Sequence, residues 1–125
     1  MNSASLLSAR NVLRFSLVAE GLTGFAALLA PEAIAQLLFG SNVAGVGIAF
    51  GRLAGIALLA LVFACWPSTD AVTRSALHAV LAYNLLAALY LAYLGSTQSP
   101  TGVLLWPAAA EHALVALVLT MRLRD

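Results

Sequence analysis

The sequence predicts an all-α integral membrane protein: a four-helix bundle with a short interfacial helix between its first and second spans. Three observations carry that expectation. Of the 125 residues, 62% are hydrophobic and 9% charged, with a mean hydropathy of +0.98, whereas soluble domains are roughly 45–50% apolar. The apolar residues gather into four runs, each long enough to cross a ~30 Å hydrocarbon core at ~1.5 Å per helical residue. Proline, glycine and short polar clusters separate the runs, with no linker, so residues 1–125 read as a single transmembrane domain. Backbone groups in lipid must be satisfied within their own segment, which makes each run a helix.

The first span is expected near residues 10–30, after Arg10 and Arg14 and before Pro31. The apolar stretch from Phe15 to Ala30 and the sequence Ala33-Ile34-Ala35 loosely mimic a cleavable signal peptide. Glu20 stands in the middle of that stretch, where a signal is uncharged, so the segment is expected to be retained. Next, the nine residues from Pro31 to Phe39, followed by Gly40, read as a short helix with proline in its first turn and glycine past its end. Ile34, Leu37 and Leu38 share a face. A segment this short cannot span, and it either lies along the outer surface or is a plain connecting turn.

The remaining spans are expected near residues 43–66, 71–94 and 102–121. Pro67-Ser68-Thr69-Asp70 separates the second from the third, and Gly95-Ser96-Thr97-Gln98-Ser99-Pro100 the third from the fourth. All the basic residues are arginines. Arg10, Arg14, Arg74, Arg122 and Arg124 fall on one side if the helices alternate, which places both termini in the cytoplasm. Trp66, Tyr90, Tyr93 and Trp106 fit interfacial belts. A net charge of +1 gives no reason to expect nucleic acid, and the single Cys65 excludes an internal disulfide or a CxxC redox pair.

Within the second span, Gly47, Gly51 and Gly55 recur at four-residue intervals and offer a groove for a close helix neighbour, expected to come from the same chain. Arg52 lies about 100° around the helix from Gly51, on the flank of this groove. A charge at such depth costs about 2.5–3.5 kcal/mol on insertion scales, so Arg52 is expected to face inward onto a partner, with snorkelling as the other reading. Counting ~1.5 Å per residue puts Glu20 ~15 Å from Arg10, Asn84 ~15 Å from Arg74 and Glu111 ~16 Å from Arg122. Arg52, Glu111, Glu20, Asn84 and His112 therefore form an expected intramembrane polar cluster, with Glu111 ahead of Glu20 as the partner of Arg52. His112 lies about 100° from Glu111, so the two do not face one neighbour squarely.

Other positions carry less. Tyr83, beside Asn84, is suited to hydrogen bonding across helices or to lining a pocket. His78, one turn after Arg74, is an interfacial imidazole. Pro107 is expected to kink the fourth helix or free a carbonyl before Glu111. No HxxxH or ExxH spacing occurs, so no metal site is expected, and no motif implies a cofactor or an enzyme.

The run Glu20-Gly21-Leu22-Thr23-Gly24-Phe25 leading to Ala30-Pro31, with Arg52-x-x-Gly55 in the second span, resembles the DoxX-like group of small four-helix bacterial membrane proteins. The resemblance implies a bacterial inner-membrane protein, in some members associated with oxidoreductase complexes or thiol and sulfur chemistry. It carries over Arg52, Gly55 and Glu20 as fold-defining positions. The chain's sole thiol, Cys65, at a membrane edge, does not match a thiol-redox role. Glu20 in the first span is also similar to the intramembrane glutamate of small multidrug resistance transporters, although Arg52 would repel cations from a shared cavity.

These readings lead to a structural or accessory subunit whose partners are the bilayer and other membrane subunits or a second copy. A proton-coupled carrier using an intramembrane carboxylate and a membrane component of an oxidoreductase system are the alternatives.

Overall fold

The computed structural model describes residues 3–67, 72–98 and 101–124, with side chains from Ala9 onward. The breaks expected at Ser68-Thr69-Asp70 and at Ser99-Pro100 lie outside the described residues. Five helices and no strand occur among the described residues: α1 (Ser3–Leu29), α2 (Pro31–Phe39), α3 (Val46–Cys65), α4 (Arg74–Thr97) and α5 (Leu105–Arg124).

Three of them, α1 from Ala9, α3 and α4, are long and apolar enough to cross a membrane. The sequence led us to expect four. α5 has the length, but Glu111, His112, Arg122 and Arg124 dilute its apolarity, and it does not join the other three. The helix boundaries also shift. α4 begins at Arg74, where Thr73 caps it by accepting the Ala76 N–H at 3.2 Å, and runs on to Thr97. Pro107 lies in the first turn of α5, where its missing N–H would have no intrahelical acceptor, so the helix starts around it and needs no kink.

The short segment after the first long helix is helical. Pro31 opens α2, and Gly40 closes it at φ 65°, a left-handed conformation suited to glycine, with its N–H donating to Gln36 O at 3.0 Å. The last carbonyls of α2 are taken up from outside. Gly102 N donates to Leu38 O at 3.1 Å and Leu104 N to Leu37 O at 2.9 Å, which ties α2 to the entry of α5.

The long helices pack as two pairs, α3 along α1 and α5 along α4, with α1 also meeting α5 and only a short contact between α3 and α4. The α1–α3 seam is close because both helices present glycine. A Cβ at Gly55 would lie 2.5 Å from the Gly24 carbonyl oxygen, and one at Gly24 would lie 2.9 Å from Leu58 Cβ. Gly51 faces Pro31 at the start of α2, and Gly47 faces Val43 of its own approach segment.

One apolar cluster, with Leu13 and Leu17 of α1, Cys65 of α3, Leu77 of α4 and Leu119 of α5, joins all four long helices at the arginine-bearing end. A second, Leu91, Leu94, Leu105 and Ala109 with Phe39 alongside, joins α4, α5 and α2 further along. The outward faces are apolar too: Phe15, Leu22, Val46, Phe63 and Leu86 are all exposed, Phe63 at 84%. Trp66, Tyr90, Tyr93 and Trp106 are exposed as well.

Candidate functional site

Between the two helix pairs, beyond the first apolar cluster, lies a cavity of about 860 Å³ lined by all five helices. Its walls include Phe50, Ala54 and Leu58 of α3, Ala87 and Leu91 of α4, and Ala108 of α5, with α2 also contributing to the lining. Phe50 and Ala54 of α3 and Tyr90 of α4 line it and are exposed. A volume of this size is within the usual ~300–1,000 Å³ range of small-molecule pockets.

The polar residues of the helix interiors meet at one end of this cavity. Spacing explains how each helix delivers them. Ser16 and Glu20 are four apart and share one face of α1, as Val80 and Asn84 do on α4. Asn84, fully buried, donates from Nδ2 to Ser16 Oγ at 3.0 Å and to Val80 O at 2.9 Å. A carbonyl oxygen only accepts, so the amide nitrogen must face Val80 and the amide oxygen must face α5. His112 Nδ1 lies 2.9 Å from Asn84 Oδ1 and therefore carries the proton, a tautomer assigned from the network.

Glu20, 2% exposed, accepts the Tyr83 hydroxyl at Oε2, 3.0 Å away, while its Oε1 lies 3.4 Å from His112 Nδ1. Glu111 Oε2 lies 3.4 Å from the same nitrogen, and its side chain is 29% exposed at the cavity edge. One N–H cannot serve three acceptors well, and the shortest contact, to Asn84, takes it. Glu20 Oε1 and Glu111 Oε1 are buried without a hydrogen-bond partner. The Tyr83 ring meets His112 edge-on, with centroids 5.7 Å apart and planes at 83°.

The structure thus brings together Glu20, Asn84, Glu111 and His112 of the expected cluster and leaves Arg52 out. Arg52 is exposed on α3, and neither carboxylate is its partner; both approach His112 instead. The physical reason is rotational. Phe50 and Ala54 form the cavity wall of α3, and a residue two positions from each stands about 160° around the helix. Arg52 also lies only ~9 Å along the axis from Val46, the first residue of α3, within reach of the helix end for a long arginine stem.

Ser16 and Tyr83 are members the sequence reading did not place in the cluster. The signal for Ser16 was its four-residue spacing from Glu20. Glu111 and His112, about 100° apart on α5, nevertheless both line the cavity, with Glu111 Oε2 3.4 Å from His112 Nδ1. Glu20, Glu111 and His112 offer ligand-type atoms within 4.8 Å of one another, a grouping that the absence of HxxxH or ExxH spacing did not suggest. His78 is exposed near the start of α4.

Fold and site together define a class: an all-helical protein with three helices able to cross a membrane and a large apolar cavity ending in two carboxylates, an imidazole and a phenol. No protein-family model, no curated protein and no solved structure matches the chain.

Proposed function

We propose that the chain is a membrane-embedded binding protein that takes a small amphipathic molecule from the bilayer through the gap between α3 and α4. The observation that carries this reading is the cavity of about 860 Å³, walled mostly by apolar side chains, with Glu20, Tyr83, Glu111 and His112 together in its lining. Such a shape matches a hydrocarbon body with a polar head. In this reading α1, α3, α4 and α5 all span. α5 joins them because Glu111 and His112 turn toward the cavity floor, and its 20 residues reach ~30 Å.

The arginines at the closed end face the cytoplasm with both termini, and α2 lies along the outer surface as part of the cavity wall. Of the positions that carry the DoxX-like resemblance, Glu20 is on the cavity floor, Gly55 is in the α1–α3 seam and Arg52 is exposed on α3; a bacterial inner-membrane location is what that resemblance implies. Binding needs no chemical step, so the protein acts as a carrier or receptor and not as an enzyme.

The accessory-subunit reading stands second, favoured by α3. Along its length only Gly55 and Cys65 are buried, and the remainder, Arg52 included, is at least partly free to meet another protein.

Photolabelling tests the cavity reading. A neutral decyl alcohol carrying a diazirine, added to proteoliposomes and activated by light, is expected to label Leu58, Leu91 and Ala108, and Ala87→Trp is expected to suppress that labelling. Labelling confined to outward residues such as Phe63 and unaffected by Ala87→Trp would sink the proposal.

A further inference from the structure

Three donor side chains at the cavity floor are committed. Tyr83 gives its proton to Glu20 Oε2, the Asn84 amide gives its protons to Ser16 and Val80, and His112 Nδ1 gives its proton to Asn84 Oδ1. The capacity left around these groups is of acceptor type. Glu20 Oε1 and Glu111 Oε1 are buried without hydrogen-bond partners, and with Nδ1 protonated a neutral His112 keeps a lone pair at Nε2. A buried acceptor left unpaired is costly, more so when it belongs to a carboxylate.

The charge on the floor has one sign. Glu20 and Glu111 are the acidic residues of the lining, and no arginine is among the lining residues. The objection that Arg52 would repel a cation from this space falls away, because Arg52 is on the opposite flank of α3, about 160° from the Phe50–Ala54 wall.

We propose that the cavity binds a lipophilic primary or secondary ammonium, held by the Glu20 and Glu111 carboxyl groups, while its hydrocarbon body lies along Phe50, Leu58 and Leu91. This inference rests on the reading of the cavity as a small-molecule site. A carbonyl head such as a quinone offers only acceptors and leaves Glu20 Oε1 and Glu111 Oε1 without partners. A carboxylate head meets two acidic side chains and no arginine in the lining. A bare divalent ion makes no use of the apolar walls, and it loses His112 at Nδ1, the atom nearest both carboxylates, because that nitrogen's proton is held by Asn84.

The test is competition against the neutral diazirine probe by unlabelled decylammonium, decanol and decanoate, which share a tail length and differ in head. Decylammonium is expected to suppress cavity labelling at a concentration tenfold or more below that of decanol, and decanoate to be weaker than either. Glu20→Gln and Glu111→Gln are each expected to reduce the ammonium preference at least tenfold while the neutral probe still labels the cavity. The wild-type order of competitors stands as a test by itself should a Gln variant fail to fold.

Equal competition by decanol or decanoate, or Gln variants that keep the ammonium preference, overturns this inference and leaves the cavity reading in place. Failure of the neutral probe to label the wild-type cavity defeats the cavity reading itself. Zn²⁺ or Mn²⁺ added alone, binding tighter than decylammonium and losing that affinity in His112→Ala, would reassign the floor to a metal and overturn the ammonium.

Discussion

Asn84→Leu removes the residue that links three helices. Asn84 is fully buried on α4, donates to Ser16 of α1 at 3.0 Å and accepts from His112 of α5 at 2.9 Å. Interhelical hydrogen bonds in membrane proteins average ~0.6 kcal/mol and reach ~1.7 in double-mutant cycles. Two of them put the loss at roughly 1–3 kcal/mol. Leucine is branched at the same carbon as the asparagine amide, so most of the effect belongs to polar groups left without partners and little to an empty space.

The assay is reversible unfolding in mixed micelles, followed by circular dichroism, of wild type, Ser16→Ala, Asn84→Leu and the double variant. The double variant is expected to be less destabilised than the sum of the singles by ~0.6–1.7 kcal/mol, the coupling of one such bond. A cycle closing to within ~0.3 kcal/mol of zero would show that Ser16 and Asn84 are not partners.

Two further expectations concern α3. Gly55→Leu should destabilise the fold by at least ~1–3 kcal/mol, the usual cost of overpacking, because even a Cβ there would sit 2.5 Å from the Gly24 carbonyl oxygen; the same unfolding assay reads it, and a neutral outcome would rule out the close α1–α3 seam. Arg52→Leu should change stability by no more than ~0.5 kcal/mol, as for other surface positions, since Arg52 is exposed and both carboxylates approach His112; a loss of ~2 kcal/mol or more, recovered by a charge swap with Glu20 or Glu111, would restore the buried pair that the sequence suggested.

The long helices were legible because for segments apolar enough to cross a membrane, as three of them are, hydropathy and length are nearly sufficient. Proline and glycine marked α2 to the residue: Pro31 opens it and Gly40 closes it. The polar cluster was legible in part, since Glu20, Asn84, Glu111 and His112 were singled out as costly polar groups at similar depth, and costly groups find one another. The sequence marks Tyr83 as suited to hydrogen bonding across helices or to lining a pocket, and it does both; Ser16 was harder to see, because a serine is unremarkable in such a helix until a partner is known to face it.

What the sequence by itself determined is the set of helices and, through helical periodicity, the angle between residues on each one: Phe50 and Ala54 on one flank of α3, Arg52 on the other. Only the tertiary structure decided which flank turns inward. In a soluble protein the contrast between water and core would have settled that rotation in advance. For helices that lie in lipid the surroundings are as apolar as the interior, so the rotation is set by close packing. Here the contact of Gly24 with Gly55 sets it, directing Phe50 and Ala54 to the cavity and Arg52 away from the carboxylates with which depth alone had paired it.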